Sequence, residues 1–485
     1  MSGPLFVDSV GQITAPGVAA IDVKTPLVIE GVPNGKMLFA GQFAWGPANE
    51  VYEPTDAADL LATYEPAGSP RTSTGYRALM KRRALSLAIV RVLHSDAAKA
   101  KTEVSVTGGK WVAEAKYAGP LGNSITVTQS ASSDGVSGSK KFVATLTDSI
   151  TGSFSELIAD NVAPPNSGAA ISIDCTNLRL IGSFTVESAV SAFGSNGDTV
   201  LGGTTAGAAG TTPTSSDYTA ALDLLDEVED GVVMCVDDCG SVARSTVNAS
   251  LQTHANSAGG RYIALIQGAS NNAWSAVKSD KANYTSKWAL YFASWCYVTD
   301  DGGTKRLVPT ATLAGSAIIN LDPEQSHARA SDEVTKFYDG VDSLYTTYFN
   351  PASATVQAEA MQYGIQILQR EPGGGFSFSH DRNCNTTVGD RYAITSRLRR
   401  FFALSLTRAL RGFRNAPNIS AEQNALVAAM TGFMREQVRK GRAIQFAIDP
   451  KSSNTSDTLA SGYFLVGNAV RTPAPMERIG LLLKA

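Results

Sequence analysis

Val232-Val-Met-Cys-Val236, Tyr262-Ile-Ala-Leu-Ile-Gln267 and Ala289-Leu-Tyr-Phe-Ala-Ser-Trp-Cys-Tyr-Val298 are three short runs with almost no polar residue in them. A strand that is apolar at every position has both faces buried, as in a parallel sheet covered by helices. The stretches between and before them, Asp217–Val228, Ser241–Ala258 and Asn272–Tyr284, read as helices. Strand and helix in alternation imply parallel pairing through right-handed crossovers, hence a three-layer α/β domain over residues 211–370.

Working outward, residues 96–210 are rich in Ser, Thr, Gly and Val and contain alternating runs such as Ser124–Thr128 and Lys141–Thr147. Short strands with frequent turns predict a β-sandwich inserted here. Ser195–Ser216 has no helical or strand period and reads as a linker. Before it, residues 26–95 predict an α+β part of the core. Leu27–Glu30 and Met37–Gly41 flank Pro33-Asn34-Gly35, a hairpin signal because Asn-Gly tolerates positive φ. Asp56–Tyr64 and Thr74–Leu87 read as helices, and Ser86–Leu93 as a buried strand. Residues 371–471 predict a C-terminal α+β domain. It holds a helix over Arg391–Gly412 and another over Ala421–Lys440, the second with a Ser420/Gln423 capping box and a closing Gly441. Strands Ala443–Ile448 and Tyr463–Arg471 follow. Residues 1–25 and 472–485 are extended, Pro-punctuated arms. The fold class is therefore an α+β multidomain chain: an α/β domain, an inserted β-sandwich, and a C-terminal α+β domain bearing terminal arms.

The chain has 485 residues and a net charge of −3, which hides an asymmetry. Residues 371–485 hold 16 Lys+Arg against 8 Asp+Glu, leaving 25 basic and 36 acidic residues of the chain's 41 and 44 for the rest. Such polarity bears on partners, not on fold. On the Arg391–Gly412 helix, Arg397, Arg400, Arg408 and Arg411 share an arc of about 80° at about 100° per residue. Phe401 and Leu404 fall beside them. Two readings stay open: a solvated outer face, or a docking strip for an acidic surface, with Arg435 and Arg439 in support.

No catalytic constellation emerges. The four histidines (94, 254, 327, 380) sit in no nucleophile or zinc motif, and there is no Walker loop or G-x-S-x-G. Cys235 and Cys239 have no matching second pair for a metal, so they read as two cysteines at a strand end. His327 with Glu324 reads as a surface contact. Gly373-Gly374-Gly375 reads as a turn, and Asp381, Arg382, Asp390 and Arg391 as structural ion pairs or interface contacts. No cofactor and no metal are expected. Five cysteines form no disulfide framework. Met1–Gly11 lacks a basic start and an apolar core, and the longest apolar candidate, Trp288–Val298, is short of the roughly 20 residues that span a membrane.

The arms either fold back on their own domain or add a strand to a neighbour's sheet edge. Candidate pairing positions are Val18, Ala20 and Asp22 in the first arm, Leu465 and Val470 in the last strand, and Ile479, Leu481 and Leu483 in the tail. If each copy reaches the next head to tail, the assembly is open and helical.

In order, several segments resemble those of contractile-tail sheath proteins of myovirus-type phages and related injection machines. Leu38-Phe-Ala-Gly-Gln-Phe-Ala-Trp-Gly-Pro-Ala-Asn-Glu50 resembles the family's first strand and Gly-Pro turn. Lys116-Tyr-Ala-Gly-Pro-Leu-Gly-Asn-Ser-Ile-Thr-Val127 is similar to the start of its inserted sandwich. Val308-Pro-Thr-Ala-Thr-Leu-Ala-Gly315 with Asp322 resembles the close of its α/β domain, and Tyr363-Gly-Ile-Gln-Ile367 with Asn385-Thr-Thr387 the approach to its C-terminal domain. Asp449–Asn454, Gly462 and Pro473-Ala-Pro-Met-Glu-Arg-Ile479 are similar to its closing strands and tail. Ser377-Phe-Ser-His380 departs from the Trp-Gly pair of many members.

The resemblance implies a subtilisin-like α/β domain without protease activity, and this sequence has no H-G-T or G-T-S-M element. It also implies a non-enzymatic subunit of a helical homo-oligomeric sheath around an inner tail tube, bounded by baseplate and tail terminator proteins, with no membrane span and no direct nucleic-acid contact. The expected location is the virion tail, after assembly in the host cytoplasm. Arg397, Arg400, Arg408, Arg411, Arg435 and Arg439 would then face the tube. The competing expectations are an α/β hydrolase and a nucleic-acid-binding structural protein using the basic face.

Overall fold

The computed structural model of the chain describes residues 35–64, 86–148, 152–299 and 305–450 (without 209, 238, 240–243 and 258–260), 464–475, and the short pieces 6–7, 20–21, 454–455, 459 and 461. It divides into two compact units: residues 33–400 with 474–485, and residues 401–473 with 1–32.

The larger unit is built on a seven-stranded sheet. Its order is Ile365–Gln366, Ala289–Phe292, Ile263–Gln267, Gly231–Val236, Lys36–Gly41, Leu87–Arg91 and Val51–Tyr52. All neighbours pair in parallel except Val51–Tyr52, which runs antiparallel to Leu87–Arg91. Successive side chains of each strand enter opposite cores. Met37, Phe39, Val233, Cys235, Leu265 and Phe292 pack on one side with helix Thr310–Asn320. Leu38, Ala40, Met234, Ala264, Ile266 and Tyr291 pack on the other with helices Ser215–Asp226, Arg244–Ser257 and Ala354–Tyr363. Gly315 leaves room for the Met37 side chain beneath helix Thr310–Asn320, since a Cβ there would sit 2.7 Å from Met37 Cε.

The expected Asn-Gly hairpin is corrected. Both edges of Lys36–Gly41 are taken by parallel partners, so no antiparallel neighbour can pair with it; residues 27–34 lie outside the described residues, as does most of the helix expected over Thr74–Leu87. The expected strand Ala289–Val298 divides in two. Ser294 breaks it, since its carbonyl accepts from Thr310 Oγ1 and Gln267 Nε2 while its Oγ accepts from Leu368 N. Trp295–Thr299 then joins a separate three-stranded antiparallel sheet between Lys305–Pro309 and Val341–Leu344.

Between Lys99 and Val200 lie two four-stranded antiparallel sheets. One is ordered Gly152–Val162, Lys140–Asp148, Ile125–Ala131, Gly197–Val200; the other Ile171–Ile173, Ile181–Val186, Gly109–Ala118, Lys99–Val106. Their shared core centres on Trp111, Phe142 and Phe184, with Phe142 and Phe184 ring centroids 4.7 Å apart. Part of the expected linker is thus the edge strand Gly197–Val200, held by backbone pairing and by Thr128 Oγ1 donating to Asp198 at 2.7 Å.

Arg91 joins this sandwich to the sheet. It is fully buried and donates to four backbone carbonyls: Phe43 at 2.8 Å, Gly46 at 2.7 Å, and Ala44 and Ala118 at 3.2 and 2.8 Å. Among the described residues no carboxylate pairs with it, and burial pushes its pKa down to about 10.

In the smaller unit, the helix Ser420–Arg439 packs Met430, Phe433 and Met434 inward, with Phe433 against Phe401 and Phe402. The Ser420/Gln423 box does not form. Ile419 is the N-cap, and Gln423 turns its amide to Asn418 Oδ1 instead. Gly441, at φ +75°, closes the helix. Strands Gln445–Asp449 and Gly467–Arg471 form an antiparallel pair, shorter than the expected runs.

Candidate functional site

The helix expected to carry the basic strip spans Ala393–Leu410 and continues as a 3-10 turn, Arg411–Phe413. Asp381 starts it, accepting the Ile394 N–H at its Oδ2 (2.9 Å). The strip itself divides. Arg397 and Arg400 are only 5% and 7% exposed, so they are corrected from surface docking residues to internal ones. The Arg397 guanidinium reaches the carbonyls of Ile318 (3.0 Å), Leu321 (3.1 Å), Asp322 (3.3 Å) and Gln325 (2.5 Å). These lie at and just past the end of helix Thr310–Asn320, where unpaired carbonyls favour a cation. Burial pushes the Arg397 pKa down to about 10, opposed by the Asp381 charge. Arg400 donates to the carbonyls of Arg261 and Gly231. Arg399, between them, is exposed and pairs with Asp390.

Within the smaller unit, Arg408 is half-buried, whereas Arg411, Arg435 and Arg439 are exposed. Arg439 is held two-pronged by Glu436, at 2.7 and 2.6 Å, and that contact holds the Glu436 carboxyl down near about 2. The Arg442 guanidinium lies 5.2 Å from the Phe401 ring centroid. Residues 401–473 carry 9 Lys+Arg against 4 Asp+Glu.

Along the pair Gln445–Asp449 and Gly467–Arg471, exposed and half-buried residues alternate, so neither face is deeply covered. Among the described residues neither outer edge has a partner strand. Val470 lies in this pair, half-buried, and Leu465 just before it is 46% exposed. Ala20 belongs to a two-residue strand, Ala20–Ile21, parallel to Phe6–Val7. Val18, Asp22, Ile479, Leu481 and Leu483 lie outside the described residues.

The residues considered for chemistry are structural. His327 is fully buried and faces Asp381 (Nδ1 to Oδ1, 3.2 Å) rather than Glu324, against the rings of Phe292 and Phe378. Cys235 and Cys239 are buried, and burial pushes the Cys235 thiol well up, away from the thiolate that binds metals. Gly374 and Gly375 take positive φ in the turn between Leu368–Arg370 and Phe376–Phe378. Asp390 pairs with Arg399, and Arg391 stacks on Tyr392 instead. Sequence reasoning missed Asp223, Asp226 and His254, whose possible ligand atoms lie within 4.8 Å of one another. Asp226 is already engaged by His254 Nδ1 at 2.6 Å and by the Tyr262 hydroxyl, so the group reads as an ion-pair network.

Ligands of open α/β sheets bind beyond the carboxyl ends of the strands. Here part of that region is filled by protein. Gln267 bonds the Ser294 carbonyl at 3.1 Å and the Ala311 N–H at 3.0 Å, Trp295 Nε1 donates to Gly268 at 2.9 Å, and Ser294 and Thr310 are fully buried. No described helix is long and apolar enough to cross a membrane.

No protein-family model matches the chain. No curated protein matches it in sequence either. Solved structures do match. A sheath tail protein from Listeria innocua is similar over 92% of this chain and 96% of its own, at 16% identity and a TM-score of 0.63. A sheath tail protein from Desulfitobacterium hafniense covers 94% and 100% at 12% identity and 0.63. The helical sheath of the anti-feeding prophage in its contracted state covers 97% and 99% at 13% identity and 0.58.

Proposed function

We propose that this chain, which has the fold of the contractile-tail sheath proteins, is the repeating structural subunit of such a sheath and not an enzyme. Copies polymerise helically around an inner tube, between a baseplate and a tail terminator, and contraction drives the tube through an envelope. The particle is a phage tail or a tail-like injection machine, assembled in the host cytoplasm. The α/β body is read as subtilisin-like in topology and catalytically empty.

The observation that supports this reading is the two-stranded sheet Gln445–Asp449 and Gly467–Arg471, which has no partner strand at either edge among the described residues. An isolated pair of strands is marginal in water. Strands from neighbouring copies complete it: the N-terminal arm around Val18, Ala20 and Asp22, and the tail at Ile479, Leu481 and Leu483. Each lent strand adds several backbone hydrogen bonds at about 1 kcal/mol net apiece, and burying one leucine adds about 1.5–3 kcal/mol.

Arg408, Arg411, Arg435 and Arg439 face the tube. Each exposed pair contributes only about 0–1 kcal/mol. Such contacts release singly yet template assembly when repeated along a tail. The arms hold copies together while tube contacts break.

The test is assembly with purified tubes followed by electron microscopy. Wild type forms long sheaths. Removing residues 472–485 leaves soluble subunits, and R411E/R435E abolishes growth on tubes. Long sheaths from the truncated chain would refute the strand exchange, and normal sheaths from the charge-reversed chain would refute the docking.

A further inference from the structure

A cavity of about 360 Å³ opens where the start of helix Ala57–Tyr64 faces the β-sandwich, and all of it lies within the larger unit. Its two walls differ in charge. Asp56 and Asp59 line it from the helix side; Lys116, Tyr117, Asn177 and Arg179 line it from the sandwich side.

Each wall is fixed by its own bonds. Asp59 accepts from the Tyr52 hydroxyl at 2.7 Å and from the Thr55 N–H at 2.9 Å, and Asp56 accepts the Asp59 N–H at 2.8 Å. On the sandwich side, the Glu156 carboxylate accepts the N–H groups of Arg179, Leu180 and Ile181 at 2.7, 2.7 and 3.2 Å. Lys116 Nζ donates to the carbonyls of Thr176 and Leu178, and Trp45 Nε1 donates to the Arg179 carbonyl at 3.3 Å. The backbone that carries Asn177 and Arg179 is thereby set. The Arg179 side chain stays exposed, its guanidinium 5.3 Å from the Phe154 ring centroid.

Among the described residues no ion pair or side-chain hydrogen bond crosses the cavity. Two carboxylates and two cations are held apart, and capacity is left over on both sides. Asp56 keeps one carboxylate oxygen, Arg179 its N–H donors and Asn177 its amide.

We infer that this cavity binds a small zwitterion of the amino-acid or dipeptide class. Its ammonium sits on Asp56 and Asp59, and its carboxylate on Arg179 and Asn177. A guanidinium meets a carboxylate two-pronged, which fixes the ligand's direction. Ligand cavities begin at about 300 Å³, so the volume suits a small molecule. A molecule with only one of the two charges leaves the opposite wall unmatched, and that mismatch gives selectivity. The assignment does not depend on the sheath reading.

The experiment uses the full chain, with glycylglycine as the probe and amide chemical shifts followed by NMR. Amides of 56–63 and 177–181 shift saturably, with a Kd on the order of 1 mM. N-acetylglycylglycine lacks the ammonium and glycylglycine amide lacks the carboxylate; both bind at least 10-fold more weakly. D56N removes a charge yet keeps an oxygen for the Asp59 N–H, and R179Q removes a guanidinium with no described hydrogen bond. Both variants keep the wild-type spectrum elsewhere and bind glycylglycine at least 10-fold more weakly. Shifts that do not saturate by about 10 mM overturn the site, as does unchanged affinity in either variant. Equal binding of N-acetylglycylglycine amide, blocked at both ends, also overturns it and marks a groove for peptide backbone instead.

Discussion

Replacing Arg91 by methionine removes a buried cation that ties the sandwich to the sheet. Four carbonyls, of Phe43, Ala44, Gly46 and Ala118, lose their donor at once. Hydrogen bonds to a charged group contribute about 1.5–3 kcal/mol each, or roughly 6–12 kcal/mol for four before offsets. The offset is the cost of burying the guanidinium. Its pKa falls from 12.5 to about 10, on the order of 3 kcal/mol at about 1.4 kcal/mol per unit. Methionine fills much of the volume, so the net loss should be about 3–5 kcal/mol, as for other broken buried polar clusters. At a urea slope of about 3 kcal/mol per molar, a loss of about 4 kcal/mol lowers the midpoint by about 1.3 M. Trp45, buried in the sandwich core between Ala44 and Gly46, whose carbonyls Arg91 holds, reports the transition by fluorescence. R91K should fare little better, because an ammonium cannot spread its donors over four acceptors as a planar fork does. A midpoint lowered by less than about 0.3 M in R91M would refute the argument that this cation joins the two parts.

Phe142→Ala should cost about 3–5 kcal/mol, because Phe142 packs against Trp111, Phe184 and Phe193 at once; loss of sandwich exchange protection with the seven-stranded sheet still protected would show it, and retained protection would count against it. The Asp96 carboxyl is held down to about 2 by Thr211, whose hydroxyl and N–H both donate to it. Its folded pKa lies below the ordinary 3.8, so this contact is intact above about pH 4 and lost as pH falls through about 2. The Thr211 amide, followed by NMR, should lose its hydrogen-bonded shift over that window in wild type, and D96N should lack the transition.

The centre of the fold was legible because its signal is local. Three apolar runs announced strands covered on both faces, and the strands at Gly231–Val236 and Ile263–Gln267 match them within a residue. Partner choice was not legible. Lys36–Gly41 carried a nearby Asn-Gly signal, yet it pairs with strands 46 or more residues away, because the central slot of the sheet buries both of its faces. Ser294 broke a continuous apolar run through bonds to Gln267, Thr310 and Leu368, none of which a local window contains. The surface reading of Arg397 and Arg400 failed for a related reason. Angular position says which residues share a face, not whether that face meets water or the ends of other elements. Phe401 and Leu404 beside the arginines were the available sign that this side turns inward at Arg397 and Arg400.

Where the chain leaves the α/β body after Val92 and where it returns near Thr211, it meets itself: Thr211 donates to Asp96 through both N–H and hydroxyl, and Ala98 and Ala208 form a bridge. Everything between those points is a single excursion that starts and finishes in one place. Such a segment can be cut out, swapped or enlarged, and a few residues suffice to reconnect the stumps without disturbing the sheet beneath. The excursion is thus a cassette that can vary independently of the seven-stranded sheet that carries it.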